Sequence, residues 1–114
     1  MSELSPNERN RQKVEHLRRV WIDLLPDTPL PTYQDFFWLL EANSYRLAPI
    51  LWAMVQLWQR LQRRTDIGSH TGWLRACTKR YSVHNAIEVP DWMYPEHDER
   101  RRSRDRFAVL GRAA

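Results

Sequence analysis

The sequence predicts an all-α protein, a compact bundle of four to five helices with a charged C-terminal arm, on three observations. It holds only three glycines and scattered β-branched residues, whereas a sheet protein needs glycine-rich turns and runs of Val, Ile and Thr. Two capping signatures, Ser5-Pro6-Asn7-Glu8 and Thr32-Tyr33-Gln34-Asp35, mark helix starts. Apolar residues then recur at three- and four-residue steps, which sets one stripe on each of four segments. At 114 residues there is length for a single core. Residues 1–94 read as one helical domain and 95–114 as a charged helix or arm.

The first helix begins with Ser5 as N-cap, Pro6 at its first position and Glu8 placed to reach back. Val14, Leu17, Trp21 and Leu24 form its stripe, with Leu25 alongside, and Pro26 stops it. The stretch from Pro26 to Pro31 has three prolines and no periodicity, so it reads as a stiff loop. Thr32 and Asp35 open a second helix through Phe36, Phe37 and Leu40, ending near Asn43. The third runs from Pro49, in its first turn, to Arg64. It is the most apolar, with Ile50, Leu51, Met54, Val55, Trp58 and Leu61 on its stripe, and is expected at the centre. Gly68 separates it from a fourth helix ending at Tyr81, whose inner face holds Trp73, Leu74, Cys77 and Tyr81. Ser82 to Tyr94 reads as a packed irregular segment or a short hairpin. From Pro95 to Arg106 acids precede arginines, which suits a solvated helix or a disordered arm.

Composition narrows the function. The formal net charge is +4, and residues 1–31 contribute none of it, with five basic against five acidic side chains. A positive excess favours polyanionic partners. All but Lys13 and Lys79 of the eighteen basic residues are arginine, the side chain whose planar fork suits phosphate and stacking on bases. The single cysteine leaves no intrachain disulfide, which fits a reducing, cytoplasmic compartment. No signal peptide and no membrane-spanning run is read in the sequence.

Catalysis finds little to work with. His16, His70, His84 and His97 fall on separate segments, and none is spaced from a Ser or Cys as a base from its nucleophile. There is no phosphate-cradling glycine loop, paired C-x-x-C or H-E-x-x-H. His70, Cys77 and His84 recur by sevens, but Cys77 belongs to an apolar stripe and the helix is expected to end before His84. The chain therefore reads as a binding protein rather than an enzyme, with no catalytic residue, metal, cofactor or small-molecule substrate.

Three features carry a binding role. Arg75, Lys79 and Arg80 lie on the outer side of the fourth helix, with the hydroxyls of Thr71, Thr78 and Ser82 nearby, and Arg60, Arg63 and Arg64 crowd the end of the third. Such groups neutralise phosphates and fix register, so nucleic acid is the expected partner, DNA ahead of RNA. The tail adds Arg100, Arg101, Arg102 and Arg104, although six arginines against four acids over 96–114 leave only a modest excess. Trp38 and Trp52 lie off their stripes and form the third feature, a platform for bases or a docking patch for a protein.

The stretch from Tyr33 to Tyr81 places a hydrophobic helix with a basic end before Ile67-Gly68-Ser69-His70-Thr71-Gly72-Trp73-Leu74-Arg75-Ala76. This resembles the aromatic-leucine element that closes helical modules of DnaD-like replication-initiation proteins of phages and plasmids, without the Asn-Pro those modules usually carry before the glycine. The resemblance implies a helical adaptor touching DNA through the segment with Arg75 and Lys79. Two rivals stand beside it. One is a small subunit or inhibitor docking on a larger protein through Trp38, Trp52 and the arm. The other is a winged-helix regulator with Val83 to Val89 as the wing.

Overall fold

The computed structural model describes residues 5–63 and 67–95. Within them the chain forms four α-helices, α1 (Pro6–Leu24), α2 (Tyr33–Ala42), α3 (Leu47–Arg63) and α4 (His70–Thr78), then two 3₁₀ helices, Val83–Glu88 and Asp91–Met93, and no strand. The all-α bundle follows from the sequence as expected. Arg64 and the arm at 96–114, with Arg100, Arg101, Arg102 and Arg104, lie outside the described residues.

Local chemistry sets the helix starts. Ser5 accepts from the Glu8 amide with Pro6 at the first position, and Ser69 accepts from the Gly72 amide. Thr32 and Asp35 close a full capping box, each side chain bonded to the other's backbone N–H at 3.2 and 3.3 Å. α3 begins two residues earlier than the prolines suggested. Pro49 sits within its first turn, where the missing N–H forfeits no helical hydrogen bond.

Between α2 and α3 the chain turns through two left-handed residues that are not glycine, Ser44 (φ 56°) and Tyr45 (φ 59°). The Tyr45 amide donates to the Leu40 carbonyl at 2.7 Å and the Ser44 amide to Glu41 at 3.2 Å, the paired bonds that close a helix C-terminus. Three contacts hold the turn: Lys13 Nζ donates to the Tyr45 carbonyl at 2.8 Å, Asn43 Nδ2 to Leu39, and the Tyr45 ring meets Phe37 edge-on. Glycine is the usual residue at the Ser44 position, and a side chain there costs roughly 1–2 kcal/mol in the left-handed region, partly offset by glycine's larger unfolded-state entropy. Ser44→Gly is therefore expected to stabilise the fold by roughly 0.5–1 kcal/mol. Thermal denaturation checks this, and an unchanged or lowered Tm would count against the turn geometry.

α3 is the centre of the bundle. Pro49 to Val55 and Leu57 are all buried, and α1, α2, α4 and the first 3₁₀ helix each pack on it. α1 contributes Val14, Leu17, Val20 and Trp21, α2 contributes Phe36, Leu39 and Leu40, and α4 contributes Leu74 and Cys77. Beyond Leu57 the helix is mostly exposed, although Leu61 still packs against the core. Trp58, expected in the core, is instead 39% exposed, followed by exposed Gln59, Arg60, Gln62 and Arg63.

The segment after α4 differs most from expectation. α4 ends at Thr78 rather than Tyr81, and residues 83–93 wind into 3₁₀ turns, so neither a hairpin nor a wing is formed. The winged-helix reading falls with it. This strap lies over α3: Glu88 Oε2 accepts from the Trp52 indole at 3.0 Å and from Gln56 at 3.4 Å, while Val89 and Met93 enter the core. His16 of α1 hydrogen-bonds the Met93 carbonyl at 2.6 Å, which ties down the far end. Val83 and Ile87, read as packed, point outward at 79% and 89% exposure.

Candidate nucleic-acid interface

α4 is one-sided. Leu74, Cys77 and Thr78 face the bundle, so residues one position on from the buried ones, Arg75 and Lys79, stand together on the outer face four apart. Thr78, counted among the candidate phosphate-binding hydroxyls, is buried and donates its Oγ1 hydrogen to the Arg75 carbonyl at 2.9 Å. It closes the helix end instead. Arg80 follows in the terminal turn. Burial pushes the Cys77 thiol up, and the charge of the exposed Arg80 guanidinium pulls partly the other way. Arg60 and Arg63 are exposed in the last turn of α3, where they complement the helix dipole.

Among the described residues, the side chains of Arg60, Arg63, Arg75 and Lys79 make no hydrogen bond or ion pair. On α1, Lys13 caps the α2–α3 turn and Arg18 approaches Glu15 at 3.7 Å, while Arg11 and Arg19 make no such contact among the described residues. Among the described residues, the α3 end and the α4 outer face thus hold cations without an acidic partner.

The two sequence-predicted tryptophans part company. Trp52 is a correction: it is only 7% exposed, covered by the strap, meets Tyr81 edge-on and has its N–H paired with Glu88. A docking role is closed to it. Trp38 is 57% exposed on α2 and lines an open groove of about 510 Å³ with Glu41 and Ala42, one helical turn further along α2. The opposite wall is Arg75 of α4. α2 and α4 each pack on α3, and the groove is the gap left between their outer edges.

The fold therefore brings Trp38 and Arg75 together, which the sequence did not indicate, and adds Glu41 and Ala42, which sequence reasoning missed. Their only signal is the spacing of three and four residues from Trp38 on a helix whose opposite face is apolar. His70, Cys77 and His84 do not share one helix, because α4 ends between the second and third. No cluster of three or more His, Cys, Asp or Glu that could hold a metal ion occurs among the described residues, nor any helix long and apolar enough to cross a membrane. No family model, curated protein or solved structure matches this chain.

Proposed function

We propose that this chain binds nucleic acid, DNA ahead of RNA, and holds a single strand along the outer face of α4 with a base laid on Trp38. One observation carries the reading: Arg75, without a partner among the described residues, faces a more than half-exposed indole across an open groove, with Lys79, likewise without one, a turn away. A phosphate-neutralising cation beside an aromatic face is the pairing that single-strand binders use. Arg60 and Arg63, exposed in the last turn of α3, add to the positive charge. The setting that fits is an accessory role in replication, regulation or a nucleoprotein complex, which is also what the likeness to DnaD-like modules implies.

Fluorescence anisotropy of a labelled single-stranded oligonucleotide, titrated at several salt concentrations, tests the reading. The logarithm of the binding constant is expected to fall linearly with the logarithm of salt. Trp38→Ala is expected to weaken binding by about 5- to 150-fold, the range set by roughly 1–3 kcal/mol of stacking per base. Absence of retention at low salt overturns the proposal.

A second reading has its own support. Exposed Val83 and Ile87, together with Trp38, leave large apolar side chains in solvent, as on a helical adaptor that docks on a larger protein. It predicts that Trp38→Ala abolishes a stable protein complex, with no oligonucleotide binding at low salt.

A further inference from the structure

We infer that the groove between α2 and α4 reads guanine in an unpaired strand, with Glu41 as the reading group. This rests on the nucleic-acid reading above and adds the base to it.

The starting point is a misfit. A carboxylate repels phosphate, so on a surface serving only the backbone Glu41 is out of place. Yet Glu41 lines the same groove as Arg75, and the two close no ion pair. The Glu41 side chain also makes no hydrogen bond to another described residue. Among the described residues, nothing therefore occupies the carboxylate oxygens or the guanidinium fork. Ala42 beside them keeps the wall low, and Trp38 supplies a flat apolar face.

A ligand matching all four residues needs a planar ring for the indole, two adjacent N–H donors for the carboxylate and an anion for the guanidinium. Among the bases, only guanine offers two parallel donors on one edge, N1–H and the N2 amino group. Adenine and cytosine set one donor beside an acceptor, and thymine and uracil flank their single donor with carbonyls. The Arg75 side chain is then free for the phosphate of the same or the neighbouring nucleotide. A duplex hides this edge in its base pairs, so the geometry selects an unpaired strand. The groove volume of about 510 Å³ lies within the roughly 300–1,000 Å³ of small-ligand sites, enough for one nucleotide.

The test uses the full chain and oligothymidylates that differ only in one central base, which avoids the self-association of guanine runs. Guanine at that position is expected to bind about tenfold more tightly than adenine or cytosine, the scale of one good bidentate contact. Inosine, which keeps N1–H but lacks the N2 amino group, is expected in between. Glu41→Gln replaces one acceptor by a donor and should erase the guanine preference, while binding to plain oligothymidylate is kept or strengthened. If all central bases bind alike with the same salt dependence, or if Glu41→Gln leaves a guanine preference untouched, the guanine assignment is wrong and strand binding stands. If no oligonucleotide binds at low salt, both proposals fail together.

Discussion

Trp21→Ala is expected to remove most of the stability of this protein. The indole is fully buried, meets Phe36 edge-on at a centroid distance of 6.0 Å, and donates its N–H to the Thr28 carbonyl at 3.2 Å. It thereby joins α1 to α2 and to the proline-rich loop between them. Truncating such a side chain costs about 3–5 kcal/mol, through lost burial and the cavity left behind. The Thr28 carbonyl also loses its partner. Against a total of roughly 5–15 kcal/mol for a domain of this size, that loss is large. Thermal unfolding followed by circular dichroism should show Tm falling by well over ~10 °C, or no cooperative transition. Trp38→Ala provides the contrast. Its indole is more than half exposed, so the change should stay within about 0.5 kcal/mol. A Tm left in place by Trp21→Ala would contradict the packing of α1 on α2.

The double substitution Arg75→Ala with Lys79→Ala should have the largest effect on binding. Neither side chain has a partner among the described residues, so truncation orphans no acid there and the fold should hold. Each phosphate contact to a single strand contributes about 0.7 to the salt slope, so losing two should flatten it by about 1.4. At 0.1 M salt the same loss corresponds to about 25-fold weaker binding, nearly independent of sequence. Arg11→Ala, on exposed α1, removes a positive charge elsewhere and should leave the slope close to its original value. Equal slopes for the double variant and the unaltered chain would move the interface away from α4.

Much of the fold was legible because it is written in short-range chemistry. Ser5 and Thr32 cap where their hydroxyls fall before an apolar stripe, and Val14, Leu17 and Trp21 are buried because their spacing matches the helical turn. What failed depended on neighbours distant in sequence. Trp52 lies off the main stripe of α3, so it looked exposed; it is buried because Glu88, thirty-six residues on, brings an acceptor and a cover over it. Nothing periodic in Val83 to Glu88 foretells that strap. Trp58 follows the stripe, yet it is 39% exposed while Leu61, three residues on, still packs against the core. Local pattern fixes which side of a helix turns inward, not whether anything is there to meet it.

The candidate site divides the same way. Arg75 and Lys79 were visible as an outer face, and Trp38 as an aromatic off its stripe. Their meeting, and the entry of Glu41, needed α2 and α4 to pack on α3 with their outer edges flanking one groove, which no run of residues encodes. The expected contact at Thr78 failed for a local reason: its hydroxyl finds the Arg75 carbonyl three residues back before it finds a ligand.

Both walls of the groove are helices seated on one buried rod rather than loops. On the proposed reading, a strand arriving there meets helices, with no loop among the described residues lining the groove. The ordering it imposes is confined to the rotors of Trp38, Glu41 and Arg75, of which the indole has only two. Association on such a surface is governed by encounter and charge, and turnover by how quickly a base leaves the indole. That combination suits a protein that samples many strands and moves on, rather than one that locks onto a single site.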